Sequence, residues 1–117
     1  MKVAIIGSRD FYDYSLLKKT IFEHIQESEI KCIVSGGASG ADSLSQKFAK
    51  QYGLPILIFY PKWDKLGKKA GMIRNKQIIK NCDIVFAFRV NNSKGTTNSI
   101  ELAKLYNKTC YVIDIKE

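Results

Sequence analysis

The chain of 117 residues has one histidine, three cysteines and no apolar run approaching the roughly 18 residues of a membrane span. Each shortage removes a class of function. His24 stands between Glu23 and Glu27 in a stretch of helical spacing, the pattern of a solvated surface residue, so histidine-based catalysis is disfavoured. Cys32, Cys82 and Cys110 are odd in number, far apart and within or beside apolar runs. They read as buried reduced thiols rather than as a disulfide framework or metal ligands, and no metal or other cofactor is expected. No G-x-x-x-x-G-K-[ST] segment is present, which excludes a Walker-type ATPase loop. No carboxylate pair is placed for acid–base work, and no catalytic residue is assigned. The N-terminus lacks a signal-peptide pattern, and residues 2–6 begin a strand at once, so a cytoplasmic protein is expected, with no membrane partner.

Acidic residues are also scarce: 11 against 19 basic ones, a formal net charge of +8. Such a balance points to acidic partners, nucleotides or nucleic acid. The excess is mostly lysine spread along the chain, which equally describes a solvated surface. The three arginines are more informative. Arg9 and Arg89 each follow an apolar strand and Arg74 lies between strands, and the guanidinium fork suits bidentate recognition of phosphate.

What the chain does have is the stretch Val34-Ser35-Gly36-Gly37-Ala38-Ser39-Gly40-Ala41-Asp42. Lys31 to Val34 is a short buried strand by its apolar run, and Asp42 to Gln51 is the helix that follows. Three glycines in five positions allow a tight turn and bring main-chain N–H groups close to a ligand. The first N–H groups of a helix lack intrahelical partners and carry partial positive charge, so phosphate is a natural guest. A plain strand–helix turn capped by Ser39 is the alternative.

Along the rest of the chain, Lys2 to Ile6 is a strand ending at Gly7-Ser8-Arg9-Asp10, where Ser8 offers a hydroxyl and Arg9 a charged fork. Ser8 and Asp10 equally suit turn-making. Leu17, Ile21 and Ile25 make an amphipathic helix of 14–27, flanked by Phe11, Tyr12 and Tyr14, which are expected to pack rather than stack on bases. Pro55 to Tyr60 reads as a strand covered on both faces. Residues 61–71 form a lysine-rich loop in which Trp63 pins the loop to the body or stacks on a base, the pin being the expected role. A helix then runs from Ala70 to Asn81 and carries Arg74 and Asn75. Asp83 to Phe88 is the most apolar strand and should be central. The loop through Ser93 offers a second anion cradle from Lys94, the N–H of Gly95 and the hydroxyls of Thr96 and Thr97, ahead of a helix from Asn98 to Tyr106. Thr109 to Ile115 is the last strand.

Five strands alternating with four helices over short links predict a single α/β domain spanning residues 1–117, a doubly wound Rossmann-like parallel sheet. With the first strand central, the order is 3-2-1-4-5, and the loops after strands one, two and four converge at the switch point.

Gly7-Ser8-Arg9, Ser35-Gly36-Gly37-Ala38-x-Gly40-Ala41-Asp42, Gly71-Met72-Ile73-Arg74-Asn75 and Ser93-Lys94-Gly95-Thr96, taken in order, resemble the SLOG superfamily, in particular its small domains related to YspA and YpsA. The resemblance implies a Rossmann-like fold binding nucleotides or ADP-ribose-type ligands. It also places the chain near the LOG enzymes, which cleave nucleoside monophosphates, near the DNA-processing protein DprA, and near sensors of cyclic ADP-ribose signals in antiphage defence. LOG enzymes use an arginine, matched by Arg74, and a glutamate in P-G-G-x-G-T-x-x-E. Here Gly95-Thr96 is followed by Thr97, Asn98 and Ser99, so that glutamate is absent, and Glu101 lies further along the helix. Its loss removes the group that would activate water or steady an oxocarbenium-like transition state.

The expected function is therefore a binding module that senses or sequesters a signalling nucleotide, as in phage–host conflict. Arg9, Arg74 and Lys94 would contact phosphates, and Asp42 would meet ribose hydroxyls or Arg74. LOG-like hydrolysis using Asp42 or Glu101 is the alternative, and DprA-like nucleic-acid binding is a third. Related SLOG proteins are often dimers, so the resemblance also allows a homo-oligomer.

Overall fold

The computed structural model describes residues 1–117. Its elements in chain order are β1 (Lys2–Gly7), α1 (Tyr14–His24), β2 (Cys32–Ser35), α2 (Ala41–Gln51), β3 (Ile56–Ile58), α3 (Ala70–Lys80), β4 (Ile84–Val90), α4 (Lys94–Leu105) and β5 (Thr109–Ile115). One helical turn, Trp63–Leu66, and a 3-10 turn, Gly67–Lys69, lead into α3; another 3-10 turn, Glu27–Glu29, follows α1. All strand pairs are parallel, in the order β3-β2-β1-β4-β5. No helix is long and apolar enough to cross a membrane.

The sheet order follows from where apolar side chains are continuous. β1 is buried from Val3 to Ile6 and β4 from Ile84 to Phe88, so both need cover on two faces and take the centre. On one face Val3, Ile5, Ile33, Phe86 and Phe88 pack against Leu17 and Ile21 of α1 and Phe48 of α2. On the other, Ala4, Ile6, Val34, Val85 and Ala87 meet Ile78 and Ile79 of α3 and Ile100 and Ala103 of α4. Two helices per face is the doubly wound arrangement. Each fully buried phenylalanine or isoleucine contributes about 1.5–3 kcal/mol relative to exposure.

Helical spacing sets which residues turn inward. Leu17 and Ile21 are one turn apart in α1, Ala41, Ser45, Phe48 and Ala49 in α2, and Thr96, Ser99, Ile100 and Ala103 in α4. Asp13 caps α1, its side chain accepting from the Leu16 N–H at 3.0 Å.

Several boundaries differ from the sequence reading. The third strand is only Ile56–Ile58 and lies at the sheet edge, with Leu57 41% exposed, so it is not covered on both faces. Its pairing stops where its one neighbour β2 ends, at Ser35 opposite Ile58, and no strand lies beyond the edge. The last helix starts at Lys94 rather than Asn98. Asn91 and Asn92 both adopt positive φ (48° and 55°), a conformation asparagine tolerates, and they reverse the chain within two residues of β4. Ser39 does not cap α2: the capping position is Gly40, and the Ser39 hydroxyl donates instead to the Arg9 carbonyl at 3.5 Å. Phe11 stacks on Phe88 at 4.8 Å between centroids, in keeping with a packing role, whereas Tyr12 is exposed. His24 is exposed yet stacks on Tyr111 at 3.7 Å. Cys82 is buried, while Cys32 and Cys110 are only partly so, and all three thiols are free.

Candidate functional site

The carboxyl ends of the central strands open into a cavity of about 610 Å³, within the range of ligand pockets. Its base depends on close backbone approach at two glycines. A Cβ on Gly7 would strike the Phe88 carbonyl and sit 2.8 Å from the Ala41 Cβ, so β1, β4 and the start of α2 meet only because residue 7 is glycine. Gly40 does the same for the two loops: at φ +69° its Cα lies against the Ser8 and Arg9 carbonyls, and the Ala41 N–H donates to the Ser8 carbonyl at 3.2 Å.

Hydroxyls then fasten the end of β1 to α4. The Ser8 Oγ accepts the Val90 N–H at 2.8 Å and donates to the Ser93 Oγ at 2.8 Å. The Ser93 Oγ in turn donates to the Thr96 Oγ1 at 2.8 Å. Ser93 gives α4 no side-chain cap, and the amides of Lys94, Gly95 and Thr96 have no partner. These are the unpaired donors of a helix N-terminus, on residues that line the cavity.

α3 supplies Arg74, which is half-buried. Its Nη1 donates to the Gly36 carbonyl and its Nε to the Asn75 Oδ1 at 3.0 Å. The Asn75 Nδ2 donates to the Asn98 Oδ1 at 3.2 Å, so a polar chain joins α3 to α4. Asp42, from the first turn of α2, is 6% exposed and accepts the Ala38 N–H at 3.1 Å. Burial pushes its carboxyl above the usual range despite the Ala38 hydrogen bond and the nearby Arg74 charge. Burial also lowers Arg74, with Asp42 opposing the shift and Arg9 adding to it. Four cations, Arg9, Lys68, Arg74 and Lys94, line the cavity with Asp42 as its sole carboxyl.

Gly7, Ser8 and Arg9 from the first loop and Ala38 and Asp42 from the second line this cavity. So do Arg74, Asn75, Lys94, Gly95 and Thr96. Ser35, Gly36, Gly40 and Ala41 do not; they are buried beneath the loop, with the Ser35 Oγ taken by Ser45 at 2.8 Å. Thr97 is turned away, accepting from Arg89 Nη1 at 3.1 Å and donating to the Ser93 carbonyl. Gly37 opens on an adjoining cavity of about 360 Å³. Arg89 belongs to β4 rather than the loop and pairs with Asp114 at 2.6 Å, away from the cavity. Trp63 is 48% exposed and lines both cavities, with its ring tip against Gly71 of α3. Glu101 is exposed and outside the cavity, which leaves Asp42 as the one acid near it.

Lys68 and Asn98 also line the cavity, and no motif in the sequence marks either one. Lys68 is one of four lysines in residues 61–71, and nothing in their spacing singles it out. The sequence pattern starts the helix at Asn98, whereas it begins one turn earlier at Lys94, and that earlier start carries Asn98 over Asn75.

The model of the YAcAr family, described as the YspA, cpYpsA-related SLOG family, matches residues 1–66. That span holds the first two loops, while Arg74 and the start of α4 lie beyond it. The Gene 61 protein of Mycobacterium phage D29 is 29% identical over 110 residues, 88% of this chain and 88% of its own length. Among solved structures, DNA processing protein A from Helicobacter pylori, described for its single-stranded DNA binding mode, aligns with a TM-score of 0.67 at 25% identity. It covers 96% of this chain and 64% of its own. DprA from Streptococcus pneumoniae shares the fold with a TM-score of 0.59 at 20% identity, over 94% of this chain and 58% of its own. The chain thus spans less than two thirds of either DprA protein. With more than half of its residues matched by that family model, the chain belongs to the YspA, cpYpsA-related SLOG family.

Proposed function

We propose that the protein binds a nucleotide or ADP-ribose-derived ligand in the larger cavity and acts by sensing or sequestering it. The observation that carries this reading is the charge arrangement: four cationic side chains and three unpartnered amides surround one carboxyl that burial drives toward its neutral form. Such a site favours a polyanion small enough to enter. Arg9, Arg74 and Lys94 take the phosphates, with the amides at Lys94 and Gly95 completing the cradle. In this reading Asp42, Asn75 and Asn98 meet the ribose hydroxyls and base edges. The sense of a dedicated binder, rather than a LOG-type hydrolase, comes from the missing glutamate and from Glu101 lying outside the cavity.

A thermal-shift screen against nucleoside monophosphates and diphosphates, ADP-ribose, NAD and cyclic ADP-ribose isomers tests it. A ligand at 100 times its Kd adds about 2.7 kcal/mol, a shift of several degrees in a domain of this size. Recovery of the ligand intact supports binding, and release of free base, lost in Asp42→Ala, supports hydrolysis. A flat screen defeats the small-molecule reading.

Nucleic-acid binding is the second reading, favoured by the net charge of +8 and by the likeness to the H. pylori DprA structure. It calls for affinity toward single-stranded oligonucleotides that falls steeply with salt, together with little discrimination among free nucleotides.

A further inference from the structure

The 360 Å³ cavity abuts the larger one, and the two share Arg9, Ala38, Trp63 and Arg74 as walls. Both arginines therefore stand at the neck between two lobes rather than at the end of one. The smaller lobe has a different chemistry from the larger. It holds no acid and no lysine, and its outer wall is aromatic, formed by Tyr60 and Trp63. These two rings are 61% and 48% exposed, so neither is used to fill the core. Both are nonetheless seated against backbone. The Tyr60 ring lies on Gly37 in the space a Cβ would occupy, and the Trp63 ring tip rests against Gly71 of α3. Large exposed rings held beside guanidinium groups provide a platform for a heterocycle whose phosphate sits at the neck.

We propose that the smaller lobe is a base-stacking subsite and that the ligand class is a dinucleotide, two nucleoside units joined through phosphate. The linking phosphate lies between Arg9 and Arg74. One nucleoside occupies the larger lobe near Asn75 and Asn98, and the other stacks beside Tyr60 and Trp63. This rests on the nucleotide-binding reading above and adds the second nucleoside. The same chemistry has two sources, a free dinucleotide or one step of a single-stranded DNA.

Trp63 is the chain's single tryptophan and stands on the wall the two lobes share, so its fluorescence reports on how that wall is filled. The test titrates the protein with AMP, with NAD and with the deoxydinucleotide pdApdA, reading Trp63 emission and calorimetric Kd together. NAD or pdApdA is expected to bind at least about tenfold more tightly than AMP and to quench Trp63 more deeply, because only a ligand with a second base fills both lobes and stacks beside Tyr60 while it does so. Tyr60→Ala is expected to remove most of that difference. A lengthening series of oligo-dA that gains affinity with each residue identifies DNA as the source; a plateau at the dinucleotide identifies the free compound. Equal affinity for AMP and both dinucleotides, unaltered by Tyr60→Ala, overturns the subsite and leaves the nucleotide reading standing. Failure of every compound to bind overturns both.

Discussion

Arg74 and Asp42 converge on Gly36 from different helices without forming an ion pair. A Cβ on Gly36 would collide with the Arg74 Nη1 and lie 2.9 Å from the Asp42 Oδ2, yet the chain's one ion pair within 4.0 Å is Arg89–Asp114. Each charge is instead anchored to backbone, Arg74 on the Gly36 carbonyl and Asp42 on the Ala38 N–H. Arg74 keeps its Nη2 free of any protein partner. A guanidinium held in place but not neutralised is what an incoming phosphate needs.

Arg74→Ala should therefore weaken nucleotide binding by about 1.5–3 kcal/mol, the scale of a charge-assisted hydrogen bond, or ten- to a hundredfold in Kd. Arg74→Lys should not restore it, because an ammonium cannot hold Gly36 and a phosphate with one fork. Arg89→Ala is the matched control, since that side chain is committed to Asp114 and Thr97 and should leave Kd unchanged. Calorimetric titration of the three variants with one nucleotide decides the point.

Asp42 carries a pH signature. Its folded pKa is raised above the ordinary 3.8, so between the unfolded and folded values the native state binds more protons than the unfolded one. Stability contributed by this group is present at low pH and is lost as pH rises through that window, then stays level. Urea denaturation across the acid range should show the wild type losing stability relative to Asp42→Asn as pH climbs from 3.8. A relative gain would contradict the buried, weakly compensated carboxyl.

Gly7 and Gly95 should respond to alanine in opposite ways. At Gly7 the new methyl meets the Phe88 carbonyl and Ala41, both on rigid elements, and should cost about 1–3 kcal/mol of stability. At Gly95 nothing lies within 4 Å and the residue is helical, so alanine should be neutral or stabilising by a few tenths of a kcal/mol. That methyl projects where the ligand approaches the α4 amides, and Gly95→Ala should lower affinity while leaving Tm unchanged or higher. Thermal melts paired with binding isotherms separate the two effects.

Ser8 is read from its geometry as a structural hydroxyl at the rim of the cavity. Ser8→Ala strands the buried Val90 N–H and should cost about 1–3 kcal/mol. Ser8→Thr keeps the acceptor, and much of the loss should be absent in that variant. Chemical denaturation of the pair provides the comparison.

Much of the architecture was written in local patterns. Continuous apolar runs in Val3–Ile6 and Ile84–Phe88 indicated central strands, and the four-residue spacing of Leu17 and Ile21 indicated a helix over one face. Short links between alternating elements then left the 3-2-1-4-5 order as the natural winding, and the structure has it. The glycine loops were legible because close backbone approach and positive φ demand a particular residue. Edges and helix starts were not legible in the same way. Ile56–Ile58 has the same apolar character as a central strand, and its short, half-exposed state follows only from having no neighbour on one side.

Local sequence thus determined which segments are strands and helices, which loops are glycine-built and that arginines stand near strand ends, because each of these depends on a few adjacent side chains. Tertiary packing alone decided the rest. It turned Arg74 onto Gly36 across 38 positions of chain and led Arg89 away to Asp114. It buried Asp42 enough to raise its pKa, and it set Trp63 and Tyr60 beside a second cavity instead of in the core. Those outcomes depend on distances between residues far apart in sequence and on the water excluded between them, and neither quantity exists until the sheet and its helices have come together.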